Sequence, residues 1–153
     1  FRSYIQFPNL LYSLGLSGYH EEKILIQFDT QDQQFEFKPS SHLLQKLEIF
    51  TEIFVAPPDL LLAQKFYAIL NRKRAKGRDF YDAVFLMSKT TPDYNYLIQK
   101  VGIENATMLK EKLLQHCKTL DLEQLSQDVQ PFLFRAKDRN KVVLFDRFIK
   151  QEL

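Results

Sequence analysis

The hydrophobic period of the chain changes once, at Ala56-Pro57-Pro58, and that change sets its class. Upstream, from Glu22 to Thr30, Ile24, Ile26 and Phe28 alternate with Leu25, Gln27 and Asp29, the period of two by which a strand separates two faces. Gln27 and Asp29 therefore share a face. The polar run Gln31-Asp32-Gln33-Gln34 reads as a turn, and Phe35 and Phe37 flank Glu36 in a second alternating segment, which predicts an antiparallel hairpin with the first. A third strand is expected over 47–55, and a short helix over 7–14, closed by Gly15 or Gly18. Downstream, Leu61, Leu62, Lys65, Phe66, Ile69 and Leu70 recur at spacings of three and four, predicting a helix over 58–73 with proline near its start. Gly77 allows a break before a helix over 79–89, with Asp79 as its cap or in its first turn. Helices are further expected over 92–101, 104–118, 121–134 and 138–151, with Pro92 and Pro131 as disturbances. The expected fold class is α+β, a short antiparallel sheet followed by a helical bundle, divided into residues 1–56 and 57–153.

Composition allows a sizeable core. The chain has 153 residues, 45% of them hydrophobic, with fourteen Phe and seven Tyr, and large apolar rings bury well with few polar partners. Function therefore has to be sought in the polar residues. The single cysteine, Cys117, excludes an internal disulfide framework and a Cys-rich zinc site, so a reducing compartment, the cytoplasm, is expected. His20, His42 and His116 are too scattered for a metal site. No apolar run approaches the ~20 residues of a membrane-spanning helix, and no basic segment followed by an apolar stretch opens the chain. The first residue is Phe rather than Met and apolar sequence begins at once, so a cut-down fragment is expected.

Charge is concentrated rather than spread. The formal net charge is only +2, yet five of the seven residues from Arg72 to Arg78 are basic. Such a run either grips polyphosphate or a nucleic-acid backbone, or is a solvated loop between helices. Lys65 lies beside Phe66 on the predicted 58–73 helix, where its stem can pack while its ammonium reaches a cleft or snorkels to water. Asp79 and Asp82, three apart, project from neighbouring helical positions. They can accept hydrogen bonds from Arg78 or Lys65, position a hydroxyl, bind a metal, or form surface ion pairs.

The run Leu-Leu-Ala-Gln-Lys-Phe-Tyr-Ala-Ile-Leu at 61–70, followed by an arginine and Gly-Arg-Asp-Phe-Tyr-Asp at 77–82, resembles the lysine and Arg-Asp-x-x-Asp block of AbiEii-type nucleotidyltransferase toxins. The strand Lys23-Ile24-Leu25-Ile26-Gln27-Phe28-Asp29-Thr30 is similar to the family strand that follows the catalytic front motif and carries an acidic residue. The likeness covers roughly residues 10–90, and the later helices fit the family's C-terminal part in character. It implies that residues 1–56 are part of a nucleotidyltransferase sheet region. It further implies transfer of a nucleotide from a nucleoside triphosphate to an acceptor, with Mg²⁺ held by a Gly-Ser and Asp-x-Asp front motif. An RNA acceptor and a cognate antitoxin protein are the partners it brings with it.

By the same resemblance Lys65, Arg78 and Arg72 bind phosphate, with Arg78 supporting the Lys65 contact or pairing with Asp82, Asp79 and Asp82 are active-site acids, and Asp29 is the metal ligand. Two departures stand out. No Gly-Ser pair occurs, and nothing before Asp29 supplies an Asp-x-Asp, so these residues alone are expected to be inactive. Where the family often has an acid two residues before Asp29, this chain has Gln27, a poor Mg²⁺ ligand. The alternative is a noncatalytic RNA- or protein-binding domain derived from the same fold. Tyr67, Tyr81, Phe66 and Phe80 flank the basic run, where rings either stack on bases or fill the core. A second basic cluster, from Arg135 to Lys141, either contacts RNA or caps the bundle.

Overall fold

The computed structural model describes all residues, Phe1–Leu153. Its α+β class is the expected one, but the strands pair differently. The chain divides into two units, Phe1–Glu36 and Phe37–Leu153. The first holds β1 (Arg2–Pro8), α1 (Leu10–Ser13) and β2 (Lys23–Asp29). β2 pairs antiparallel with β1, from Arg2 opposite Asp29 to Pro8 opposite Lys23. The expected partner, Phe35–Phe37, forms no strand. The Asp32 carboxylate accepts a hydrogen bond from the Gln34 amide at 2.7 Å, Gln34 turns the chain with φ of 48°, and Pro39 removes a ladder donor just beyond. Three residues between two such breaks cannot compete with a seven-residue partner. The helix expected over 7–14 shrinks to α1 because Phe7 and Pro8 belong to β1.

The second unit begins with another ribbon, β3 (Ser40–Lys46) antiparallel to β4 (Ile49–Val55). β4 is the expected third strand, shortened at its start because Leu47 and Glu48 make the turn. A two-residue hairpin loop needs positive φ at its first central residue, and Leu47 supplies it at 54° despite its branched side chain. β3 carries no strong alternation and was not anticipated. Both ribbons leave apolar side chains in water, among them Ile5, Phe28, Leu43, Phe50 and Phe54.

The helices carry the core. α2 (Pro58–Asn71) starts on Pro58, whose missing N–H is no loss in a first turn. It buries Leu62, Phe66 and Ile69 of the expected stripe, together with Leu60 and Ala63, whereas Leu61 is 38% exposed. Full burial of each large side chain contributes about 1.5–3 kcal/mol. α3 (Gly77–Met87) packs on α2 and buries Phe80, whose ring meets Phe145 edge to face at 5.0 Å. α4 (Tyr94–Val101), α5 (Ala106–Cys117) and α6 (Leu122–Val129) are capped by Asp93, Asn105 and Asp121, whose side chains accept first-turn amide hydrogen bonds. α6 ends early because Pro131 lies in a 3₁₀ turn, Gln130–Phe132.

The helix expected over 138–151 is split at Leu144 into α7 (Asn140–Val143) and α8 (Phe145–Glu152). The bend lets α7 pack on α3 and α6 while α8 packs on α5. Cys117 is buried, and desolvation first, then the Asp146 charge, pushes its thiol up to about 11. It stays protonated at neutral pH and acts as a small apolar side chain. No helix is long and apolar enough to cross a membrane.

Gly77 has a different role from the expected break. It is the first residue of α3, and a Cβ there would stand 1.9 Å from the Leu125 carbonyl oxygen on α6. Only a missing side chain lets the two backbones approach. Gly77→Ala is expected to destabilise the second unit by about 1–3 kcal/mol through overpacking, while Gly18→Ala, with nothing nearby, shifts the urea midpoint within error.

Candidate functional site

Lys65 lies in the middle of α2, one helical turn from Leu61 and Ile69. Its side chain, 30% exposed, carries the ammonium across to α3. There it stands 2.6 Å from Asp82 Oδ2 and 3.5 Å from Asp79 Oδ1. The two acids, three apart on α3, meet the same ammonium because residues at that spacing share a helix face. Of the alternatives open in the sequence, the ammonium directed at carboxylates is the one realised.

Arg72 completes the group. It follows α2 in extended conformation (φ −67°, ψ 133°), which takes its guanidinium back toward α3. Its Nε lies 3.0 Å from Asp79 Oδ2. Asp79 is the one buried charged side chain of the chain, with only 2% of it exposed, and cations stand on both of its oxygens. A buried carboxylate without such partners is strongly disfavoured. Although Arg72 is within ion-pair distance, Oδ2 accepts no well-aligned hydrogen bond, so the contact is electrostatic rather than directional.

Arg78 does not join the cluster. It is exposed at the start of α3 and lines a depression with Lys76, Gly77, Asp128 and Phe132. The partner of Asp82 is Lys65. Phe66 and Phe80 are fully buried core side chains, and the Tyr81 hydroxyl lies 3.2 Å from Lys141 Nζ. The Lys141 ammonium also sits 4.5 Å from the Tyr81 ring centroid, tying α7 to α3. That contact was not legible in sequence, since 60 residues separate the pair.

Asp29 belongs to the first unit, at the end of β2. Its carboxylate accepts hydrogen bonds from Arg2 Nε at 2.6 Å and from Gln27 Nε2 at 2.5 Å. The Arg2 guanidinium first, and the Gln27 amide second, hold the Asp29 carboxyl below its ordinary value of 3.8. Nowhere do three or more His, Cys, Asp or Glu side chains gather into a group able to hold a metal ion. Asp29 is compensated by Arg2, and Asp79 and Asp82 by Lys65 and Arg72. A hard divalent cation takes several oxygen ligands, and acids already neutralised by ammonium and guanidinium do not fit one.

Two outcomes follow from these contacts. Because the folded carboxyl of Asp29 titrates below its unfolded counterpart, the Arg2–Asp29 clamp between β1 and β2 is present above the ordinary carboxylate range and is lost as pH falls through the folded value. A carboxyl ¹³C titration should place the Asp29 midpoint below 3.8, with Arg2→Ala returning it upward. Arg72→Ala leaves buried Asp79 with the 3.5 Å Lys65 contact alone. It is expected to destabilise the protein by about 1–3 kcal/mol, and Arg72→Ala with Asp79→Asn should recover at least half of the loss in urea unfolding.

The cluster occupies the residues that resemble a nucleotidyltransferase block, and comparison with known proteins extends that likeness. No curated protein and no solved structure matches the chain. Residues 3–150 match the family described as Nucleotidyl transferase AbiEii toxin, Type IV TA system. With nearly its whole length covered, the chain belongs to the AbiEii nucleotidyl transferase toxin family.

Proposed function

We propose that the α2–α3 cluster is the triphosphate side of a nucleotidyl-transfer site and that Lys65 is the group that holds phosphate oxygens. The observation that carries this reading is the position of Lys65 in the charge group. Arg72 holds the buried Asp79 at 3.0 Å, whereas the Lys65 ammonium stands farther from Asp79, at 3.5 Å, and closest, at 2.6 Å, to the half-exposed Asp82. An ammonium is a compact point charge with three donors, suited to bridging phosphate oxygens. Asp79, itself fixed by Arg72, orients Lys65. The exposed basic run, with Lys73, Arg74 and Arg78, adds a positive field that draws a polyanion toward that end of α2.

In the proposed reaction an acceptor oxygen bonds to the α-phosphorus of a nucleoside triphosphate, and the bond to the β-phosphate breaks, releasing pyrophosphate. Lys65 offsets charge on the triphosphate during this exchange. A cognate antitoxin is the partner that family membership supports, RNA is proposed as the acceptor, and a cytoplasmic setting agrees with a lone buried cysteine. Mg²⁺ stands in this proposal on family membership only, since the acids of this chain are compensated by cations. The absence of a Gly-Ser pair and of an Asp-x-Asp before Asp29 supports inactivity of these 153 residues by themselves.

Lys65→Ala in the full-length protein is expected to lower nucleotide transfer at least about 100-fold, in the range lost on removing one transition-state charge donor, and to relieve growth inhibition. Radiolabelled nucleotide incorporation and a growth assay read the two effects. Unchanged transfer and unchanged toxicity would remove Lys65 from the site.

A further inference from the structure

The nearest partner of the Lys65 ammonium is the less buried of the two acids. Lys65 stands 2.6 Å from Asp82, whose side chain is 40% exposed, and 3.5 Å from Asp79, whose side chain is 2% exposed. The four charges of the group, Lys65, Arg72, Asp79 and Asp82, sum to zero. A triphosphate brought to Lys65 has to compete with a carboxylate for the same ammonium.

We infer that Asp82 is a displaceable tether for Lys65, an internal anion that occupies the phosphate position until a triphosphate replaces it. The inference rests on the proposed phosphate role of Lys65. Burial decides which acid gives way. Asp79 cannot release both of its cations without leaving an uncompensated charge in the protein interior, which is costly. Asp82 can turn to water, because a carboxylate at the surface is readily solvated. Arg72 is excluded from the exchange for the same reason as Asp79. Its guanidinium stands 3.0 Å from the buried oxygen and is the contact that Asp79 retains when Lys65 turns to phosphate. Lys65 and Arg72, expected from sequence to act alike on phosphate, thus divide into a mobile and a fixed cation.

The tether has two consequences. It keeps Lys65 extended toward α3 rather than free to sample other rotamers, and it lowers affinity for the incoming anion by the strength of one partly exposed ion pair. Removing the charge at position 82 with the shape kept should therefore tighten binding of triphosphate while leaving the fold intact. A residue that contacts bound nucleotide through hydrogen bonds or a cation would behave in the opposite way, since its loss weakens binding.

The test is calorimetric titration of the full chain with ATP and, separately, with inorganic tripolyphosphate, for the wild type, Lys65→Ala and Asp82→Asn. Asp82→Asn is expected to bind both probes about 3-fold more tightly, the range of a partly exposed ion pair, while Lys65→Ala loses at least about 10-fold, as for loss of a charged hydrogen bond. Loss in Lys65→Ala with equal or weaker binding by Asp82→Asn overturns the tether and leaves the phosphate role of Lys65 standing. Equal binding by wild type and Lys65→Ala, or no binding by any of the three, overturns that role. The contact itself is read without ligand by ¹⁵N spectroscopy of the Lys65 ammonium. Its proton exchange should be slowed in the wild type and faster in Asp82→Asn, and equal rates would overturn the tether on their own.

Discussion

Burial of the Asp79 carboxylate between α2 and α3 is the constraint around which the second unit is arranged. A charge with almost no access to water needs counter-charge from two directions, and the helix pair provides it through Lys65 from mid-α2 and Arg72 from just beyond the end of α2. The two cations lie seven residues apart, two helical turns, with the acid between them on the facing helix. Phe66 and Phe80, both fully buried, belong to the apolar core on which the two helices pack. Packing and charge are thus coupled, because shifting α3 along α2 by one turn would strand the carboxylate.

The same coupling explains the glycine at the start of α3. For α3 to present Asp79 and Asp82 to α2 on one side, its other side has to lie close against α6, and Gly77 permits that approach at the Leu125 carbonyl. Lys141 on α7 then holds Tyr81 from a third direction. The Gly-Arg-Asp-Phe-Tyr-Asp run is therefore read by four neighbouring helices. Gly77 serves α6, Asp79 and Asp82 serve α2, and Phe80 and Tyr81 serve α8 and α7. Arg78, on the exposed side, is the member of the run that packs against none of them closely and stays in solvent.

What sequence made legible was what depends on local periodicity. The helices α4 and α5 were readable within two residues and α6 at its start, though not at its end, and the meeting of Lys65 with both acids follows from spacing on two adjacent helices. Strand partners were not readable, because pairing is decided by competition over long range. β1 lies at the chain start, where Tyr4, Ile5 and Phe7 read as generic apolar sequence, and it outcompetes the three-residue segment around Glu36 for β2. The β3–β4 turn escaped notice because Leu47 adopts a conformation usually left to glycine or asparagine. Distinguishing Arg72 from Arg78 required knowing how the chain leaves α2, which composition of a basic run does not encode.

The two-stranded ribbons have a kinetic consequence. In a ribbon of two strands each backbone finds partners on one side only, so about half of its amides face water even when the ladder is intact. Such elements open with little free energy, whereas the amides of α2 and α3 lie under a packed apolar core and open last. The molecule is therefore graded in persistence from end to middle. Solvent reaches the ribbons in fluctuations that leave the helix pair closed, so the backbones that carry Lys65, Asp79 and Asp82 stay in place while the strands that precede them in sequence open and close.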